Sequence, residues 1–285
     1  GTFESLFRQA VDAIDAGDAD RLEKMLNAHP HLVRERLRSP GAWLRDQIGD
    51  ALDSFFKDPY LLWFVSEDAV RNKALPPNIA VIADIIIQKI KAGKTTSLRE
   101  QLDYTLKLVA LSWVARECKV QIALMEVLID EGAATDGVSN DALVNGNFEA
   151  AKYLLSRGAK PDLPTALCLE RWKEADELAQ SASPEQKQFS LILAALNGKA
   201  KAVTRVIGYG EVDINKPNKH LYSHATALHH AVWSGSIETV KVLVGAGAKL
   251  DIKDTIYDGT PLGWAEYGNK NDIAGYLKQI RPNES

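Results

Sequence analysis

Apolar residues recur along the chain in short groups spaced for one face of a helix, and glycines bracket several of the groups at a fixed distance. With a glycine as zero, apolar residues stand at +5, +8 and +9, and a second glycine stands at +12. Gly235 fits with Val240, Leu243, Val244 and Gly247, Gly198 with Val203, Val206, Ile207 and Gly210, and Gly146 with Ala151, Leu154, Leu155 and Gly158. These offsets share one side of an α-helix, so each group predicts a short amphipathic helix closed at both ends by a residue suited to left-handed backbone.

Ahead of Gly235 stands Thr226-Ala227-Leu228-His229-His230-Ala231, copied 34 residues later as Thr260-Pro261-Leu262-Gly263-Trp264-Ala265 ahead of Gly268. Threonine caps a helix start, and proline at the first helical position forfeits only an N–H that has no intrahelical partner. Leu228 and Ala231 lie on one face, where the small alanine lets a neighbouring helix approach. A period in the low thirties with these residues resembles the ankyrin repeat, a helix-turn-helix with a projecting finger. The resemblance implies an all-α ankyrin-repeat solenoid of about seven or eight stacked helix-turn-helix pairs, each burying its apolar side on the next. It also implies a structural His229, bonded to backbone and to the next repeat's threonine.

Taken in order, residues 1–38 read as an N-terminal capping repeat: a helix over 3–16, then Gly17 with Leu22, Met25 and Leu26 at the same offsets. His29-Pro30 closes it, and Arg8, Asp12 and Asp15 are expected on its polar outer face. Residues 39–100 read as a degenerate repeat with an insertion. The pattern predicts a helix over 43–56, another opening at Asp58-Pro59, a long loop at 66–77, and a helix over 79–91 closed by Gly93. Residues 101–256 are the central repeats, beginning with one long helix over 102–116 and with Val120 in place of an opening glycine. Spacings of 26 and 24 residues after Gly132 predict fingers short or absent in the middle repeats, with Glu170 replacing a glycine and Trp172, Ala175 and Leu178 keeping the apolar face. The longest fingers are expected at 211–225 and 248–259, and residues 257–285 form the C-terminal capping repeat. The whole chain is expected to be a single solenoid.

Composition narrows the function. The 285 residues are 46% hydrophobic and 25% charged, with a net charge of −4, which is ordinary for a globular protein. No basic footprint points to nucleic acid, and the longest apolar run, 79–90, carries Asp84, Gln88 and Lys89 and is too short to span a bilayer. Cys118 and Cys168 make no metal spacing and read as buried thiols of a reducing compartment, although a disulfide between them stays open. The opening Gly1-Thr2-Phe3-Glu4 has no leader-like regions. Gly1 fits the scar of a cleaved tag, which would leave room for a targeting segment ahead of it. The cytoplasm is the expected compartment and a monomer the expected state.

His220 and His224 have a zinc-compatible spacing, but they fall in a finger with no third ligand after them, so no metal is expected. No phosphate loop, nucleophile motif or paired-cysteine cluster is present, so neither catalytic residues nor a cofactor are expected. What the resemblance implies instead is binding of a protein or peptide through the concave face, built from finger tips and the exposed side of each first helix. Its two positions before the helix-ending glycine are Trp233 and Ser234, Glu266 and Tyr267, Leu196 and Asn197, and Val144 and Asn145. Tyr222, His224, Tyr257 and Asp258 on the neighbouring fingers extend the patch, while Trp264 reads as structural. Two alternatives stand beside this: an enzyme or small-ligand receptor using a pocket near 40–100, and self-association through a stripe around Trp43, Phe55 and Trp63.

Overall fold

The computed structural model describes residues 1–281, and among them there is no strand. The chain divides into two compact units, Gly1–Lys160 and Pro161–Ser285.

The first unit contains α1 (Phe3–Asp15), α2 (Ala19–Ala28), α3 (Ala42–Leu52), α4 (Ile79–Ala92), α5 (Leu98–Leu111), α6 (Trp113–Glu117), α7 (Gln121–Asp130), α8 (Val138–Val144) and α9 (Phe148–Ser156). One layer runs α2, α4, α7, α9, each packed on the next. The facing layer runs α1, a 3₁₀ segment Leu61–Ser66, α5, α8. α4 buries Ile79, Ile82, Ala83, Ile86, Ile87 and Ile90, a broad stripe that suits a helix flanked on both sides and covered from within.

The 3₁₀ segment replaces the helix expected to open at Asp58-Pro59. Asp58 takes a left-handed φ of 47°, Tyr60 is extended, and all six residues from Leu61 to Ser66 are buried. A run of Leu-Leu-Trp-Phe-Val has no polar side to turn to solvent, so a short tight turn buried all round takes the inner position. The helix expected over 43–56 is α3, which ends at Leu52 and is kinked at Ile48. The stripe expected around Trp43, Phe55 and Trp63 does not form. Trp63 is buried against Phe56 and Tyr104, Trp43 is half-buried, and of the three only Phe55 is exposed.

The helix expected over 102–116 breaks at Ser112, whose ψ of 108° leaves the helical region. The buried Gln121 amide donates to the carbonyls of Val109 and Ala110, at 2.9 and 3.3 Å, and so satisfies the acceptors that the break exposes. In the capping repeat Asp12 is exposed, but Asp15 is drawn into a pair with Arg71, and Arg8 lies over the Trp43 ring.

The second unit has an inner layer of α10 (Leu163–Cys168), α12 (Pro184–Leu196), α14 (Ala227–Ser234) and α16 (Pro261–Tyr267), each packed on the next. Its outer helices are α11 (Trp172–Ala179), α13 (Ala200–Gly208), α15 (Ile237–Gly245) and α17 (Asn271–Ile280). Arg205 of α13 grips Asp176 of α11, while α13 packs on α15 and α15 on α17. Cys168 is buried and Cys118 half-buried, and both are free thiols. Burial pushes the Cys168 thiol up to about 12.

One turn recurs in both units. A left-handed residue stands two positions before the outer helix at Gly17, Lys119, Gly146, Glu170, Gly198, Gly235 and Asn269. Glycine adopts that conformation without a Cβ clash, and the other three hold it under the constraint of the packed helices. This corrects two expectations. Lys119 (φ 59°), not Val120, replaces the opening glycine, and Asn269 (φ 54°), not Gly268, is the counterpart of Gly235. The buried face is also shifted by one step in the repeats of Gly146, Gly198 and Gly235. Positions +4, +5 and +8 are buried there (Thr239, Val240 and Leu243 after Gly235) and +9 is half-buried. Trp172 and Leu178 are likewise only half-buried, leaving Ala175 and Ala179 as the core of α11.

Candidate functional site

The C-terminal fingers are held by polar residues buried beneath them. Asp254 is buried and accepts from the N–H groups of Ile256 (2.9 Å) and Tyr257 (2.6 Å) through Oδ1, and from Gly259 (2.9 Å) and the Trp264 indole (2.8 Å) through Oδ2. Burial pushes its carboxyl up, but the hydrogen bonds from Tyr257, Trp264, Gly259 and Ile256 outweigh this and bring it down to about 2. Asn218 plays a similar part in the preceding finger, accepting from His220 and Leu221.

His229 joins α14 to the next finger. Its Nε2 lies 2.9 Å from the Gly259 carbonyl oxygen, so Nε2 carries the proton, and Nδ1 accepts from Thr226 Oγ1 at 2.8 Å and from the Thr226 N–H at 3.2 Å. Burial above all lowers its pKa, which keeps the ring neutral and this pattern intact. The structural role expected for His229 is present, with the Gly259 carbonyl rather than the next threonine as the distant partner. The two fingers are also bonded to each other, Thr255 N–H donating to the His224 carbonyl at 2.9 Å.

On this frame aromatic rings form a continuous strip. Tyr257 meets His224 at 6.3 Å between centroids, His224 meets Trp264 at 6.0 Å, and Trp264 meets Trp233 edge-on at 6.1 Å. Trp233 and Tyr267 then lie nearly parallel, 6.5 Å apart at 21°. Tyr222 joins from the side, 6.2 Å from His224 and 5.7 Å from His230. The strip faces solvent: Trp233 is 49% exposed, Tyr267 84%, Tyr257 74% and Tyr222 44%.

Five of the residues singled out from the sequence therefore come together: Trp233, Tyr267, Tyr222, His224 and Tyr257. The others are engaged elsewhere. Ser234 donates to the Ala231 carbonyl at 2.6 Å, Asn197 donates to the Leu193 carbonyl at 2.9 Å, and Leu196 is half-buried. Glu266 is exposed but paired with Lys278 of α17, and Asp258 is exposed but paired with Lys253. Lys278 lies within α17, which runs to Ile280. Two residues were missed. Trp264 is the half-buried bridge between the finger rings and the helix rings, and its only sequence signal was an aromatic residue where the first copy has His230. His230 itself is buried, its Nε2 has no hydrogen-bond partner, and burial first, then the neighbouring His229 and His224, lower it to about 4.

A second concavity lies beside the irregular segment. It is an open depression of about 500 Å³ lined by Asp12, Asp15, Ala16, Asn72, Ala74, Leu75 and Pro76. Its wall is a locked loop. Buried Glu67 accepts from the N–H groups of Arg71 (2.7 Å), Asn72 and Lys73 (3.0 Å), and Arg71 in turn holds Asp15 bidentately at 2.9 and 2.6 Å. Of its carboxylates Asp12 faces solvent and Asp15 is committed to Arg71, so they do not converge on a common point.

Among the described residues no helix is long and apolar enough to cross a membrane. The family model "Ankyrin repeats (3 copies)" matches residues 168–254 and residues 191–284. No curated protein matches the chain. Repeats of this kind generally serve as protein–protein interaction modules. The matched residues contain the outer-helix turns at Glu170, Gly198, Gly235 and Asn269, the two long fingers and the aromatic strip; this C-terminal part of the chain, residues 168–284, is therefore built of ankyrin repeats.

Proposed function

We propose that the chain is a non-catalytic interaction module, monomeric and cytoplasmic, that binds a protein or peptide through the concave face of its last repeats. The observation that carries this is the convergence of Tyr222, His224, Trp233, Tyr257 and Tyr267, drawn from two fingers and two inner helices, into one exposed strip. Exposed tryptophan and tyrosine combine large apolar area with a polar edge and dominate many interfaces. The fingers are tied down by Asp254, Asn218 and His229, so little freedom remains to be lost when a partner docks.

The alternative, catalysis or small-ligand binding beside residues 40–100, draws less support from a shallow depression whose carboxylates do not converge. The test of the main reading is affinity capture from the native host with the full chain and with the Trp233→Ala/Tyr267→Ala variant. The expected result is a partner captured by the first and lost by the second, with circular dichroism unchanged. Capture that survives both substitutions would remove the strip from the binding face.

A further inference from the structure

The carboxylates flanking the strip are already engaged within the chain. Asp258 is paired with Lys253 at 2.8 Å and Glu266 with Lys278 at 2.9 Å, while Asp254 is spent on the finger backbone and on Trp264. What the strip offers outward is ring surface and hydrogen-bond donors. Among the described residues, the Trp233 indole N–H and the Tyr257 and Tyr267 hydroxyls make no hydrogen bond. A partner segment complementary to this surface has flat apolar side chains, little charge, and backbone carbonyls turned outward as acceptors. A polyproline II segment has these properties together: its backbone makes no internal hydrogen bonds, its pyrrolidine rings are apolar, and its stiffness leaves little entropy to lose.

We infer that the partner segment is an extended proline-rich peptide, its rings lying across Trp233, Tyr267 and Tyr257 and its carbonyls accepting from their free N–H and O–H groups. This rests on the interaction-surface reading above and adds the chemistry of the ligand. A basic peptide fits less well, because it would have to compete with Lys253 for Asp258 or with Lys278 for Glu266 to find a counter-charge. A helical peptide, whose carbonyls are bonded internally, leaves the three donors unanswered.

The experiment measures binding of the full chain to two sets of short synthetic peptides of equal length and net charge. One set is proline-rich, with oligoproline among its members; the other is proline-free but equally apolar. The expected result is saturable binding of the proline-rich set, weakened about tenfold by Trp233→Ala and again by Tyr267→Ala. Tyr267→Phe, which keeps the ring and removes the donor, should cost less than Tyr267→Ala. Both side chains are exposed, and an unchanged thermal midpoint confirms that each variant is folded. Preference for the proline-free set, still sensitive to Trp233→Ala, would overturn the proline-rich assignment and leave the interaction surface standing. Binding of neither set, or binding indifferent to both alanine substitutions, would overturn both.

Discussion

Trp264 donates its indole N–H to the buried carboxylate of Asp254 at 2.8 Å, and this bond ties the last finger to the inner helix beside it. Three backbone N–H groups share the same carboxylate, so Asp254→Ala strands four donors at once. The expected loss is about 2–4 kcal/mol of unfolding free energy, read by urea denaturation. The carboxyl is held near 2, below its ordinary value of 3.8, so its contribution is full above about pH 4 and disappears as pH falls toward 2. Asp254→Asn should flatten stability across that acid window. An unchanged acid profile would contradict the role assigned to the carboxylate.

Asp68 works in the opposite direction. Burial first, and then the charge of Glu67, raise its carboxyl to about 6. The folded chain therefore holds the proton more tightly than the unfolded chain, and stability declines as pH rises from about 4 through 6. Asp68→Asn should raise stability by about 1–2 kcal/mol near pH 7.5 and leave it unchanged near pH 4. Asp141, also raised to about 6 by burial despite Lys107, titrates in the same window, so the variant should reduce the slope without abolishing it. Equal gains at both pH values would show that the effect of the substitution is not electrostatic.

The turn before α7 gives a sharper test of backbone register. Lys119 is left-handed at φ 59°, whereas Val120 has φ −112°. Lys119→Gly should stabilise by about 1 kcal/mol, because glycine adopts that conformation without a Cβ clash. Val120→Gly should destabilise, since it removes a buried side chain and loosens an ordinary backbone position. The reverse order in thermal melts would place the turn where the glycine spacing alone put it.

Much of this fold was legible because its punctuation is local. Glycines at fixed offsets mark the turns in Gly146, Gly198 and Gly235, and each is left-handed as its position requires. The reading slipped where packing overrode the local signal. Lys119 and Asn269 adopt a conformation their side chains resist, so nothing in the residue types moved the turn off Val120 or Gly268. Asp58-Pro59 looks like a helix start, but the residues that follow are buried all round, which no amphipathic pattern describes. For the candidate site, the positions before the turn pick out Trp233 and Tyr267, and the fold lays their rings side by side. The same rule also picked Ser234 and Asn197, because spacing shows which residues end a helix but not whether their side chains turn back to cap it.

The most direct measurement is amide hydrogen exchange on the full chain, free and saturated with its captured partner. The account predicts added protection in the fingers over 220–225 and 254–259 and at the ends of α14 and α16, with α15 and α17 unchanged. Protection confined to the outer helices over 237–245 and 271–280, with the fingers exchanging as in the free chain, would contradict it.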